Sequence, residues 1–138
     1  MGRHRGPWLL IFVAVLLAGC SRTVHNDAGL LTMPNGWHFG PSGDASVNVV
    51  GTARLEGSCW YLSNGSSIRS LIVWPNGSAW SDDQHTGVRL PDGPVVTSGT
   101  DILGVGGEDD RTPPDAQDLG PCLPEPPAVA RFSQASVR

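Results

Sequence analysis

The chain contains no lysine: all nine of its basic residues are arginine, set against thirteen acids in 138 residues. Such a balance gives no positive field to draw in phosphate backbones, so nucleic acid is excluded as an expected partner. Long apolar runs are missing too. The one greasy stretch, Trp8 to Ala18, is half the roughly 20 residues that a spanning helix needs. Nowhere after it do apolar residues recur at helical spacing for three turns, and eighteen glycines and twelve prolines argue further against helix. Cys-x-x-Cys pairs are absent, as are a Gly-x-Ser-x-Gly elbow and a His-Glu-x-x-His helix. No cofactor, no metal and no catalytic residue is therefore expected.

What is present begins at the N-terminus. Met1 to Gly6 is short and basic through Arg3 and Arg5, and the apolar run follows at once. It ends in Leu17-Ala18-Gly19-Cys20. These four residues match the lipobox of bacterial lipoprotein precursors at every position, and the chain resembles that class over residues 1–20. The resemblance implies a signal peptide over residues 1–19, cleavage between Gly19 and Cys20, and a lipidated Cys20 with acyl chains such as palmitate. A membrane partner through the lipid anchor, at the outer face of the cell membrane, follows from it. Two acyl chains suit the physics, because one binds marginally and two hold stably. The rival is an ordinary secretory signal with a fortuitous cysteine.

Three cysteines is an awkward number for an oxidising compartment. Assigning Cys20 to lipid leaves Cys59 and Cys122, for which a disulfide is expected. Unpaired thiols or zinc ligands are the alternatives, and His25, His38 and His85 are too scattered to favour zinc. Removing residues 1–19 takes away two arginines and no acid, so the mature balance is 7 basic against 13 acidic.

Residues 20–44, rich in Gly, Ser, Asn, Asp and Pro, read as a flexible tether. Leu30, Leu31, Met33, Trp37 and Phe39 are unusual for an inert linker; they point to docking of part of it, or to a hairpin around Asn35-Gly36. From residue 45 to 132 the pattern is that of short strands: Val47 to Glu56, Cys59 to Leu62, Ile68 to Trp74, Val88 to Leu90, Pro94 to Thr97 and Asp101 to Val105. Asn64-Gly65, Asn76-Gly77 and Pro91-Asp92-Gly93 supply the turns. The Asn-Gly pairs also fit the glycosylation pattern, but a bacterial lipobox makes turns the better account. Residues 107–121 read as a long surface loop, Ala128 to Phe132 as a last strand, and 133–138 as a disordered tail. The expected fold is all-β, a small OB-like Greek-key barrel, with a small β-sandwich as alternative. Gly51 would let the long first strand bend to serve both sides of the barrel. The segment from Gly51 to Gly107 resembles the small exported β-domains carried as lipoprotein cargo in GC-rich Gram-positive bacteria, a type with no assigned activity.

Trp60, Tyr61, Trp74 and Trp80 fall within 21 residues and are the candidate ligand-facing aromatics, since sugars are often held on aromatic faces; core packing is the bland alternative. Glu108, Asp109, Asp110, Asp115 and Asp118 could gather around Ca²⁺, but their spacing matches no Asp-x-Asp-x-Asp-Gly loop and a solvated loop explains them. His85 beside Asp82 and Asp83 is the one arrangement imaginable for hydrolysis. The expected function is a non-catalytic ligand- or partner-binding module of the cell envelope, its partner an envelope protein or wall polysaccharide. The alternative is a small envelope hydrolase or an enzyme accessory factor.

Overall fold

A computed structural model of the chain describes residues 24–35, 47–110 and 116–138. The expected signal peptide, with the cleavage and lipidation expected at Gly19 and Cys20, and Trp37, His38, Phe39 and Asp115 lie outside those residues. The domain is all-β. Its centre is a closed five-stranded barrel of β3 (Val47–Glu56), β4 (Cys59–Ser63), β5 (Arg69–Val73), β9 (Thr100–Asp109) and β10 (Val129–Val137). In chain order the five pair first with second, second with third, third with fifth, fifth with fourth and fourth with first. That is the Greek-key order of an OB-like barrel, closed by the parallel pair β5–β10 while every other pair is antiparallel. Closure leaves the barrel strands little open edge to pair with another chain.

Gly51 does what the sequence suggested. Residues 47–53 of β3 pair with β9 and residues 52–56 with β4. At the changeover a Cβ on residue 51 would come 2.8 Å from both the Leu62 side chain and the Ser63 carbonyl. Only glycine lets the strands approach so closely there. Across the turn expected at Asn64-Gly65, β4 and β5 pair as a hairpin, with Ser63 opposite Arg69. Its connection is five residues, 64–68, held by Asn64 Oδ1 accepting from the Ser66 hydroxyl at 2.8 Å, rather than a two-residue Asn-Gly turn. Between β5 and β9 the chain makes a three-stranded meander, β6 (Ala79–Trp80), β7 (Gly87–Arg89) and β8 (Val95–Thr97), whose Val88, Leu90 and Val96 join the barrel's interior cluster.

Three expectations need correction. Residues 24–35 are packed chain and not free tether, so the docking alternative holds for them: β1 (His25–Asp27) and β2 (Leu30–Thr32) form a hairpin that turns at Ala28-Gly29, both at positive φ, while a hairpin around Asn35-Gly36 would lie partly outside the described residues. Period-2 alternation splits its apolar residues between two cores. Leu30 enters the barrel's interior cluster, while Val24, Leu31 and Met33 join a second cluster on the barrel's outer wall. Next, Gly107, Glu108 and Asp109 continue β9 because they pair with residues 129–131 of β10 while the acids stay in solvent. One helical turn, α1 (Ala116–Leu119), then leads into a 3-10 turn, Gly120–Cys122, so that stretch is not all loop. Finally, residues 133–137 are not a frayed tail. After an irregularity between Phe132 and Gln134, β10 pairs with β9 as far as Val137.

Candidate functional site

The barrel has two outer walls of opposite character. One is formed by β4, β5 and the first half of β10. Here Tyr61, Leu71, Val73 and Val129 point outward, yet all are buried, because Val24, Leu31 and Met33 from the hairpin and Leu119, Cys122 and Leu123 from the α1 segment cover them. The Cys59–Cys122 disulfide fastens this cover to β4. Tyr61 donates from its hydroxyl to the Cys122 carbonyl at 2.7 Å, and the Arg69 guanidinium lies 4.2 Å from its ring centre while pairing with Glu56. Burial pushes the Tyr61 phenol above its ordinary value of 10.0.

This cover decides the fate of the aromatics. Trp60 (2 % exposed) and Trp74 (0 %) meet edge-to-face inside the barrel with ring centres 5.6 Å apart, and Tyr61 is 7 % exposed under the second layer. None of the three faces solvent, so these candidates are core residues, the bland alternative of the sequence, and form no ligand platform. Alternation along β4 correctly separates Trp60 from Tyr61, but it carries no information about a second layer over the outer face. Trp80 is half-buried. Its indole N–H donates to the Asp27 carbonyl at 2.8 Å, clasping the N-terminal hairpin, and its ring stacks on His85 with centres 4.6 Å apart.

The remaining polar candidates are dispersed. The Asp82 carboxylate organises its own turn, accepting from the Thr86 hydroxyl at 2.6 Å, the Ser81 hydroxyl at 3.1 Å and the Gln84 and Thr86 backbone N–H groups at 2.9 and 3.2 Å. Those bonds, the Thr86 hydroxyl foremost, hold Asp82 below the usual carboxylate range. His85, at φ 57°, gives its ring to Trp80. Glu108 and Asp109 lie on β9 and Asp118 on α1; among the described residues no group of three His, Cys, Asp or Glu is placed to hold a metal ion.

The second wall, of β3, β9 and the second half of β10, is different. Strand register lines up its outward residues in three rows: Asn48, Val105 and Gln134; Val50, Leu103 and Ser136; Thr52 and Asp101, with Arg138 at the edge. Val50 is 39 % exposed and Leu103 and Val105 are half-buried, giving an aliphatic centre rimmed by amides and hydroxyls. Two shallow depressions run along it, about 350 Å³ beside Thr52, Asn64, Asp101 and Arg138 and about 190 Å³ beside Asn48, Leu103, Val105 and Gln134. At the charged end the Thr52 hydroxyl donates to Asp101 at 2.6 Å, and the Arg138 backbone N–H donates to the Asp101 carbonyl at 3.0 Å. Sequence reasoning missed this strip, although the alternation of Asn48, Val50 and Thr52 with buried Val49 and Ala53 carries the signal. Comparison of the chain with protein-family models, with curated proteins and with solved structures finds no match.

Proposed function

We propose that the protein is a lipid-anchored, non-catalytic binding module at the outer face of a membrane, presenting the β3–β9–β10 strip to an envelope protein. The observation that carries this reading is the lipobox Leu17-Ala18-Gly19-Cys20, and the pairing of Cys59 with Cys122 supports it by leaving Cys20 as the single unpaired cysteine. Burial of Trp60, Tyr61 and Trp74 removes the argument for a sugar platform. An aliphatic centre with an amide and hydroxyl rim suits a polypeptide surface better than a saccharide ring face. The acidic mature chain argues against nucleic acid.

The test is cell fractionation of the Cys20→Ser protein. Loss of lipid moves it from the membrane pellet to the soluble exported fraction, and unchanged sedimentation refutes the anchor. A photo-crosslinker at Val50 in the anchored protein is expected to trap a discrete polypeptide, with Leu103→Arg abolishing the adduct. A heterogeneous saccharide smear would assign the strip to wall polymer instead.

A further inference from the structure

We infer that a lipid surface is the immediate neighbour of the covered wall, so that the domain is moored against the bilayer rather than suspended from it. The inference rests on the lipid-anchor reading and adds to it a distance and an orientation. Val24 is 8 % exposed and belongs to the outer-wall cluster with Leu119 and Cys122. Only four Cα–Cα steps separate it from Cys20. At 3.3–3.6 Å each, those steps span at most about 14 Å in any conformation. The 24-residue tether expected from composition would allow about 80 Å at full stretch.

No slack comes from the hairpin. β2 lies beside the end of β5, where the Trp74 N–H donates to the Leu31 carbonyl and the Met33 N–H to the Trp74 carbonyl, both at 2.8 Å. Asn76 Nδ2 donates to the Met33 carbonyl at 2.9 Å, and Trp80 holds Asp27. Peeling the hairpin away would withdraw Leu30 from one core and Val24, Leu31 and Met33 from the other. The leash therefore enters at the covered wall and is fixed there.

Charge does not supply the contact. With no lysine and an acidic excess, the domain is repelled by anionic headgroups over about 8 Å at physiological ionic strength. A covalent leash of comparable length overrides that repulsion and fixes which side faces the lipid. Along β10, Val129 lies under the cover and Ser136 is on the open strip seven residues later, at most about 23 Å away at 3.3 Å per residue. The mooring thus turns the strip away from the lipid, toward the envelope.

The experiment uses the lipidated protein purified from membranes, its Cys20 adduct verified by mass spectrometry. It is reconstituted into phosphatidylethanolamine–phosphatidylglycerol vesicles containing a headgroup nitroxide lipid. A genetically encoded fluorescent amino acid replaces either Asp118, beside Leu119 of the cover, or Ser136; both positions are exposed. Quenching at 118 is expected to exceed that at 136 at least threefold. Inserting twelve Gly/Ser residues between Arg22 and Thr23 should bring the two to the same low level. Equal quenching in the parent protein, or an insertion without effect, overturns the mooring while leaving the anchor standing. An unmodified Cys20 that fails to float with vesicles overturns both.

Discussion

The two walls of this barrel are built from the same pleated strands and come to opposite ends. From Leu71 on β5 to Trp74 just past its end the chain is apolar at every position, and both faces are buried, the inner by the barrel and the outer by the hairpin and α1. On β3, buried Val49 and Ala53 alternate with solvent-facing Asn48, Val50 and Arg54, and no second layer was required of that sequence. A strand that is apolar on both faces announces a cover even when the covering chain is distant in sequence. The covered wall is committed to packing, and the open wall is the face that the proposed binding would use.

The sharpest way to break that contrast is to remove the fastening. Replacing Cys59 and Cys122 together by serine opens a loop of 63 residues and is expected to lower stability by about 4 kcal/mol, read as a fall in the urea midpoint. A midpoint within error of the parent would mean that the cover contributes little. Comparing one leucine from each wall sharpens the same point. Leu31→Ala leaves a cavity under the cover and is expected to cost about 2–5 kcal/mol, whereas Leu103→Ala on the open strip should cost under about 1 kcal/mol. Equal losses would abolish the distinction between the walls.

The barrel was largely legible from residues. Alternation and turn chemistry mark β3, β4, β5 and β7 to β9, and Gly51 marks the bend. What escaped has particular causes. The β1–β2 hairpin turns at Ala28-Gly29, where an alanine takes a positive φ that its type does not advertise. The end of β9 is polar because both its acids face water, and polarity mimics a loop when only one face is buried. Residues 133–137 look like a tail because a register irregularity interrupts their alternation. At the site, the tryptophans drew attention for their chemistry, yet it is the plain aliphatic residues Val50, Leu103 and Val105 that lie outward. Buried Val24, Leu30, Leu31 and Met33 are the signal in the supposed tether: an inert linker has no use for four such residues.

Tyr61 reports on the cover with unusual clarity, being the single tyrosine of the chain. Its folded value is raised by burial above 10.0, so its contribution to stability is complete below that pH and is lost as the pH climbs through the higher folded value. Tyrosinate absorbance should therefore titrate above the ordinary midpoint in the parent. In the double serine variant, where the disulfide no longer fastens the cover over the phenol and water can reach it, the midpoint should fall toward 10. An ordinary midpoint in the parent would mean that water reaches the covered wall.

The smallest expected effect belongs to neither wall. Asp82 is fully exposed, and its carboxyl lies below its ordinary 3.8 chiefly because the Thr86 hydroxyl donates to it, with further donors in the same turn. A depressed carboxylate supports the folded state above the unfolded value and loses that support as pH falls through the folded one. Acid should therefore loosen the 81–86 turn and the Trp80–His85 stack below about pH 4 while both walls stay intact. Carboxyl-carbon NMR of Asp82 reads this directly: Thr86→Val should raise its midpoint toward 3.8. The urea midpoint at pH 7 should fall only slightly, because the lost hydrogen bond is solvent-exposed and lies outside both apolar clusters.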